Sequence, residues 1–197
     1  MKTYNSVVGS VLTNLEEKMK KYLPKLILVV AVLLTISIVF ASCKKESPVR
    51  LFYKGRDLLS SDSYKEAIYY LSRAIEIDPE YAEAYYVRGQ AYFKMKNYEE
   101  AIADYTRCID YNPTHAKAFI WRGYAYEEIK DFRKAISNYT KVIEIDPSNS
   151  FCYYLRGSIY NLRGEHYDYD KAVKDFDMGC KLGDDYSCER LKELLEE

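Results

Sequence analysis

A 34-residue repeat is the feature that most constrains how this 197-residue chain can fold. Five sets of residues recur at this interval and hold the same place in each repeat. They are Gly55, Gly89, Gly123 and Gly157; Ala67, Ala101 and Ala135; Tyr64, Tyr98 and Phe132; Leu71, Tyr105 and Tyr139; and Asp78-Pro79, Asn112-Pro113 and Asp146-Pro147. Repeats of roughly 20–50 residues are typical of stacked units, each of which buries its apolar face against its neighbours.

Each repeat is predicted to form two helices. In repeat 82–115, the apolar residues of the second helix recur at i, i+3, i+4 and i+7, which is the spacing of one helix face. These residues are Tyr98, Ala101, Ile102, Tyr105 and Ile109. Asn97 stands at the predicted start of this helix with Glu100 three residues later, the spacing of a capping box. Ser63 and Asp131 take the place of Asn97 in the neighbouring repeats.

The recurring small residues predict close helix contacts. Gly89 and Ala101 are expected where the two helices of one repeat approach, because a larger side chain would force the helices apart. The space around this contact is expected to be filled by aromatic rings, namely Tyr92, Tyr98 and Tyr105. The repeat therefore accounts for much of the tyrosine content, which reaches 22 residues against a single Trp.

This pattern resembles the tetratricopeptide repeat (TPR), whose Gly, Tyr, Ala, aromatic and Pro positions are matched residue by residue. The resemblance covers about residues 48–185 and implies an all-α solenoid of stacked antiparallel helix pairs. The predicted units are 48–81, 82–115 and 116–149, followed by a divergent fourth unit at 150–185 and a capping helix at 186–197.

The fourth repeat departs from the period. Its alanine falls at Ala172 instead of position 169, which indicates three inserted residues in the turn around residues 164–168. Gly183-Asp184 stands where the earlier repeats have Asp-Pro or Asn-Pro. The last helix is predicted to place three leucines on one face: Leu191, Leu194 and Leu195. Its charged outer face suits the end of a solenoid, which needs a polar cap.

The first 43 residues are predicted to be an export and anchoring signal. Residues 26–41 form a 16-residue run without a charge, preceded by Lys18, Lys20, Lys21 and Lys25. A basic segment, an apolar segment and small residues at a cleavage site define a secretory signal. Residues 40–43, FASC, resemble the lipobox of bacterial lipoproteins, although Phe40 replaces the more common Leu. The resemblance implies that Cys43 is acylated and that residues 44–47 form a short tether.

Two alternatives concern this segment. An uncleaved signal anchor would also hold the chain at a membrane, although the apolar run is shorter than the roughly 20 residues of a spanning helix. Translation is also predicted to begin at either Met1 or Met19, because Met19 and the lysines after it look like an ordinary signal-peptide opening. In both cases the rest of the chain is expected in the bacterial cell envelope, on the periplasmic or surface side of a membrane.

Composition argues against several function classes. The 29 Lys and Arg residues nearly balance the 30 Asp and Glu residues, whereas nucleic-acid binders usually have a basic surplus. Residues 1–43 carry five Lys and two Glu, so 24 basic and 28 acidic residues remain after their removal. Two His cannot form a multi-His metal site, and no P-loop, dinucleotide-binding or HExxH motif occurs in the sequence. We therefore predict no metal, cofactor, nucleic acid or enzyme activity.

The cysteines fall into two predicted groups. Cys180 and Cys188 resemble the paired cysteines of cysteine-rich helical-hairpin repeats in secreted bacterial proteins, which implies a disulfide. A disulfide persists in an oxidising compartment, and two free buried thiols are the alternative. Cys108 and Cys152 lie on helices of different units and are predicted to be small buried residues. Both histidines of the chain are expected at the surface.

The TPR resemblance also implies a binding surface. In that family the first helix of each unit lines a concave face, the groove, which binds peptides or protein segments. The predicted groove residues are Phe52 and Arg56; Tyr86, Gln90 and Phe93; Ile120, Tyr124 and Glu127; and Tyr154, Ser158 and Asn161. The alternative for each aromatic residue is that it only packs between helices. Chaperone-binding members hold a terminal carboxylate with Lys, Arg and Asn, and that clamp is not expected here.

A set of arginines recurs with the same period: Arg88, Arg122 and Arg156. Long basic side chains commonly bury their stems and keep the charged head in water, and this arrangement is predicted for all three. A ladder of positive charge that binds phosphate or carboxylate is the alternative.

The sequence therefore predicts a membrane-anchored TPR adaptor that mediates protein–protein interactions in the cell envelope. Its partner would be a protein or peptide segment held in the groove. Two alternatives remain open. One is a structural subunit of an envelope complex that self-associates through the open ends of the solenoid. The other is a lipoprotein that binds, or acts on, a peptide or glycan in the Tyr-rich groove.

Overall fold

A computed structural model of the protein describes residues 20–23, 25, 27, 30–33, 46–162 and 168–196. The chain divides into two compact units, Met1–Glu46 and Ser47–Glu197. In the first unit, the described residues between positions 20 and 33 are helical. Among the described residues, no helix has the length and apolar character needed to cross a membrane. The predicted lipidation site Cys43, the alternative start Met19 and residues 163–167, including His166, lie outside the described residues.

The described part of Ser47–Glu197 consists of nine helices in sequence. They are α1 (Pro48–Ser60), α2 (Tyr64–Ile77), α3 (Ala82–Lys94), α4 (Tyr98–Tyr111), α5 (Ala116–Glu128), α6 (Phe132–Ile145), α7 (Ser150–Tyr160), α8 (Tyr169–Lys181) and α9 (Asp185–Glu196). Each odd-numbered helix up to α7 packs on the helix that follows it, and each pair packs on the next pair. The last helix, α9, packs on α8. The predicted all-α solenoid of stacked helix pairs with a capping helix is confirmed.

The turn inside each of the first three pairs has the same backbone conformation. Asp62, Lys96 and Lys130 take φ values of 58°, 62° and 64°, in the left-handed region that non-glycine residues rarely enter. The next amide closes the turn by donating to a carbonyl five residues earlier, as from Ser63 to Leu58 over 3.0 Å. This closure ends the first helix and turns the chain back, so that the second helix can lie against the first.

The turn between pairs explains the recurring Asp-Pro and Asn-Pro sequences. The side-chain oxygen of Asp78 accepts a hydrogen bond from the amide of Glu80 over 3.2 Å. Asn112 and Asp146 accept in the same way from the amides two residues later, over 3.3 Å and 3.1 Å. The side chain therefore builds the turn, while the proline prevents the helix from continuing.

Of the three residues predicted to cap the second helices, only one makes a cap hydrogen bond with its side chain. Ser63 and Asn97 stand directly before α2 and α4, but their side chains make no cap hydrogen bond. Asp131 does cap α6, because its carboxylate accepts from the amide of Lys134 over 3.2 Å. The capping-box interpretation of Asn97 is therefore wrong, and the backbone closure of the preceding turn takes its place.

Glycine is required where a first helix meets the ring of its partner helix. A Cβ built on Gly89 would lie 2.8 Å from Cε1 of Tyr105, and one built on Gly123 would lie 2.5 Å from Cε1 of Tyr139. Both tyrosine side chains are fully buried, so neither ring has space to withdraw. The close approach that the sequence predicts at Gly89 is present, and its tightest contact is with the ring of Tyr105.

The capping helix begins at Asp185, directly after Asp184, whose carboxylate accepts from the amide of Ser187 over 2.8 Å. Leu194 is buried, at 7% exposure, in a cluster with Ala172 and Phe176, and Leu191 is partly buried against the same cluster. Leu195 is 65% exposed, so the prediction that all three leucines share the packed face is wrong for this residue.

The sulfur atoms of Cys180 and Cys188 lie at disulfide-bonding distance, with the two Cα atoms 4.6 Å apart. This pair links the end of α8 to the first turn of α9. Cys108 and Cys152 are fully buried thiols on α4 and α7. Burial raises the pKa of each thiol to about 12, so both are unreactive at neutral pH.

The first helix pair presents a polar end. In the inner units, the positions equivalent to Arg50 and Asp57 hold buried small or apolar residues: Ala84, Ala118 and Cys152, and Ala91, Ala125 and Ile159. Arg50 and Asp57 are exposed, since no unit of this stack covers them. Tyr53 lies between them at 48% exposure, whereas its counterpart Val87 is 4% exposed. The N-terminal end of the solenoid is therefore capped by charge.

Candidate binding groove

The first helices form the inner side of the stack. Contacts join α1 to α3, α3 to α5 and α7 to α9, whereas no two second helices pack closely on each other. Because the first helices lie nearer to one another than the second helices do, the stack curves toward the first helices. The predicted groove residues therefore lie on the helices that form the concave face.

In the first unit, the two predicted groove residues differ in accessibility. Phe52 is only 6% exposed, and its ring packs on those of Tyr53 and Tyr81 at centroid distances of 5.3 Å and 5.1 Å. Phe52 therefore packs between helices. Arg56 is exposed, with its guanidinium 4.7 Å from the ring centre of Tyr53 and 3.4 Å from a carboxylate oxygen of Asp57. Arg56 is thus available to a ligand.

In the second unit, Tyr86 forms the floor of the groove. Its side chain is 8% exposed, and burial raises its pKa to about 12. The amide of Gln90 donates to its hydroxyl over 3.1 Å. The ring of Tyr86 lies 4.8 Å from the ring of His115. Gln90 is half-buried above this floor and offers its carboxamide to the groove.

His115 is a structural residue, so the prediction of a surface histidine is wrong. Its side chain is 11% exposed and stands directly before α5. Nδ1 accepts a hydrogen bond from the amide of Ala118 over 3.1 Å, which assigns the ring proton to Nε2. Nε2 lies 3.1 Å from a carboxylate oxygen of Glu83, and this hydrogen bond lowers the pKa of Glu83.

A row of half-buried aromatic side chains crosses from the second unit to the third. The rings of Phe93 and Trp121 meet edge to face at 5.2 Å, and those of Trp121 and Tyr124 at 5.8 Å. Tyr98 extends the row at one end, 5.4 Å from Phe93. Ile120 is half-buried beside the row. Sequence reasoning did not select Trp121, although its being the only Trp in the chain was an available signal.

Glu127 closes the third unit's part of the groove. Its carboxylate accepts a hydrogen bond from the hydroxyl of the buried Tyr139. Burial raises the pKa of Glu127. Phe93 holds the equivalent position in the second unit and cannot accept a hydrogen bond, so the hydroxyl of Tyr105 is buried without a partner.

In the fourth unit, Tyr154 is the accessible aromatic residue. Its ring is half-buried and lies 6.2 Å from the ring of Phe176 and 5.9 Å from that of Tyr186 on α9. The hydroxyl of Ser158 donates to the backbone carbonyl of Tyr154 over 2.8 Å, so it is already engaged. Asn161 follows the last residue of α7 and is half-buried.

Arg88 and Arg156 form ion pairs within the protein, so the prediction that the heads of the recurring arginines lie in water is wrong for these two. Nε and Nη2 of Arg88 donate to both oxygens of Asp104 over 2.8 Å and 2.7 Å, and Nη1 donates to the hydroxyl of Ser72 over 2.9 Å. Arg156 donates in the same way to Asp175 and to Thr140 of the previous unit. These side chains therefore tie each unit to the one before it.

The groove side chains described above are mainly aromatic and uncharged polar groups. Among the described residues, no group of three His, Cys, Asp or Glu side chains could hold a metal ion. A pocket of about 340 Å³ lies at the turn after α1, and none of its lining residues is a predicted groove residue. They are Asp62, Ser63, Tyr64, Lys65, Glu66 and Met95. What the groove does offer is aromatic surface with a few polar groups.

Comparison with known families agrees with this architecture. Residues 82–115 and 116–149 each match the tetratricopeptide repeat, residues 55–96 match the TPR repeat, and residues 138–174 match a further tetratricopeptide repeat model. A crystal structure of MamA protein is 30% identical to this chain, with a TM-score of 0.63, and the match covers 68% of this chain and 72% of that one. The chain belongs to the tetratricopeptide repeat family.

Two other solved TPR structures are similar. A crystal structure of MamA is 28% identical with a TM-score of 0.66, over 72% of this chain and 81% of that chain. The first TPR of Spaghetti (RPAP3), bound to the HSP90 peptide SRMEEVD, is 25% identical with a TM-score of 0.55, over 57% of this chain and 89% of that chain. No curated protein matches this TPR chain in sequence.

Proposed function

We propose that this TPR protein is an adaptor whose groove holds a segment of another protein. The observation that carries the proposal is the row formed by Phe93, Trp121 and Tyr124, which lies half-buried on the concave side. Aromatic side chains offer a large contact area, and they are enriched among the residues that dominate binding energy at protein interfaces. The RPAP3 TPR domain, bound to a peptide of HSP90, supports a peptide as the kind of ligand.

The polar groups around the row define the kind of segment that fits. Gln90 offers an amide, Glu127 offers a carboxylate, and Arg56 is the exposed cation of the first unit's groove helix. A terminal carboxylate would need several converging cations, and the equivalent positions hold Gln90, Tyr124 and Ser158 instead. We therefore propose that the ligand docks through apolar side chains of an internal segment, with main-chain hydrogen bonds to the polar rim.

Crosslinking in the native cell tests the adaptor function. A photo-reactive residue at position 90 should capture a partner that the same residue at position 69 does not, because Tyr69 is an exposed residue of the second helix α2. Trp121→Ala and Tyr124→Ala should abolish the capture at position 90, whereas Tyr69→Ala should leave it unchanged. If folded protein with both groove substitutions still captures the partner, the groove is not the binding site.

The single Trp allows a direct test of the ligand type. Trp121 lies within the groove row, so its fluorescence should change when the groove is occupied. We expect no saturable change on titration with the peptide SRMEEVD, because the carboxylate clamp is absent. A saturable change that disappears when the peptide carries a C-terminal amide would show that this groove does bind terminal carboxylates. A saturable response to cell-wall glycan fragments alone would favour the glycan alternative.

We further propose that the protein is a lipoprotein of the bacterial cell envelope, anchored through Cys43. The support is the basic segment, the apolar run 26–41 and the small residues before Cys43. The bonding distance between Cys180 and Cys188 fits an oxidising compartment. Mass spectrometry of the protein from its native membrane should find an N-terminal acylated Cys43. An intact residue 1 or 19 at the N-terminus would establish the uncleaved anchor instead.

A further inference from the structure

Among the described residues, the third unit lacks the ion pair that the recurring arginine forms in the second and fourth units. Asn138 occupies the position that Asp104 holds in the second unit and Asp175 in the fourth. Nε of Arg122 donates to Oδ1 of Asn138 over 2.9 Å, and no described carboxylate forms an ion pair with this guanidinium. The half-buried charge of Arg122 therefore lacks the counter-charge that both of its counterparts have.

The remaining contacts leave one edge of this guanidinium open. Nη1 donates to the hydroxyl of Thr106 over 3.0 Å, while Nη2 has no hydrogen-bond partner among the described residues. The amide nitrogen of Asn138 is itself occupied, since it donates to the carbonyl of Lys134 over 2.7 Å. This bond fixes the amide with its oxygen toward Arg122, so Asn138 cannot supply more to the open edge.

The surrounding groups do not replace the missing carboxylate. Tyr126 and Asp110 act on Arg122 only through space, and Asp110 is exposed and pairs with Arg107 at 3.9 Å. Burial lowers the pKa of Arg122, whereas the hydrogen bond to Asp175 raises the pKa of Arg156. A half-buried cation without an anion is unfavourable, and a carboxylate is the group that best matches the fork of a guanidinium.

We propose that Arg122 binds a carboxylate supplied from outside the chain, at the seam between α4 and α6. Thr106 on α4 and Asn138 on α6 hold the guanidinium in the geometry of its paired counterparts, and the incoming carboxylate accepts from Nη2. Arg122 lies on the first helix α5, but its head group reaches Thr106 and Asn138 on the second helices α4 and α6, so the site is separate from the proposed groove. The carboxylate belongs to either an acidic side chain of a partner protein or a small organic acid.

The side-chain Nε–Hε resonances of ¹⁵N-labelled arginines in the full chain test this site. Acetate replaces chloride at constant ionic strength, and Arg122→Lys assigns the resonance. The resonance of Arg122 should shift saturably and several times more than those of Arg88 and Arg156, which serve as controls in the same spectrum. Equal shifts of all three arginines, or a response to phosphate but not to acetate, would overturn the proposal.

Two matched variants sharpen the test. Asn138→Asp supplies the carboxylate within the chain, so the acetate response of Arg122 should be lost. Asp104→Asn opens the equivalent edge of Arg88, so that resonance should gain a response. An acetate response of Arg122 that persists in Asn138→Asp contradicts the site. Aspartate blocked at both its amino and carboxyl ends distinguishes a partner's side chain from a small organic acid. If the carboxylate belongs to a partner's side chain, this compound should bind more tightly than acetate.

Discussion

At the scale of single residues, the repeat positions are equivalent in packing but not in hydrogen bonding. Tyr105 and Tyr139 fill the same space against Gly89 and Gly123. The hydroxyl of Tyr139 donates to Glu127, whereas that of Tyr105 has no partner. A buried polar group without a hydrogen bond costs about 1–3 kcal/mol, so the two hydroxyls are expected to affect stability in opposite directions.

We predict that Tyr105→Phe increases the free energy of unfolding by about 1 kcal/mol, because it removes the unpaired hydroxyl and keeps the ring. Tyr139→Phe should decrease it by about 1 kcal/mol, because Glu127 loses its donor. Urea denaturation of the two variants beside the wild type measures both changes. A decrease for Tyr105→Phe equal to that for Tyr139→Phe would show that the two hydroxyls are alike.

At the scale of elements, α9 packs least extensively on the rest of the stack, with contacts to α8 and, more weakly, to α7. It has 12 residues, and isolated helices of this length are marginal in water. Its apolar anchors are Leu194 and the partly buried Leu191, with Ser187 packed against Gly179 at its start. The bond between Cys180 and Cys188 therefore holds a helix whose packing alone is modest.

We predict that Cys180→Ser together with Cys188→Ser loosens α9 without disturbing the other end of the stack. In the chain-entropy model, closing a loop of this length contributes about 2–3 kcal/mol. Hydrogen exchange should accelerate in α9 and stay unchanged in α1 and α2. Treatment of the wild type with a thiol reductant should reproduce this pattern. Equal protection of α9 with and without the bond would contradict the prediction.

At the scale of the whole molecule, the charged N-terminal end determines how far the stack can extend. A further unit would need to bury Arg50 and Asp57, which replace the buried small or apolar residues of the inner units. Burying charged groups without matched partners is unfavourable. The observed end face therefore disfavours stacking through the N-terminal end, while self-association through other surfaces stays a prediction.

We predict that Arg50→Ala together with Asp57→Ala promotes self-association, because it uncovers Tyr53 within an apolar end face. Light scattering at increasing protein concentration should show larger species for this variant than for the wild type. Lys65→Ala with Glu66→Ala is the matched control, since it also removes one cation and one anion from exposed positions. Wild-type protein that stacks as readily as the end-face variant would restore the structural-subunit alternative.

The sequence by itself determined the helix pairs, their number and their order of stacking. Gly89, Ala101 and the Asp-Pro turns recur because each unit packs against its neighbours under the same steric constraint. The period of the sequence therefore predicts the stacked fold directly. The burial of Cys108 and Cys152 followed from the same registers. These features depend on contacts within one unit or between adjacent units, which a linear pattern records.

Only the tertiary structure decided which partner each side chain finds. The sequence allowed the head of Arg88 to face water, but in the structure it pairs with Asp104. Nothing in the sequence marks His115 as a cap, yet its partly buried side chain caps α5. Likewise, Phe52 and Tyr86 share the register of accessible groove residues but are buried beneath them. Helical spacing defines a face, but it does not state how closely the next helix covers that face. That depends on the curvature of the stack, which three-dimensional packing sets.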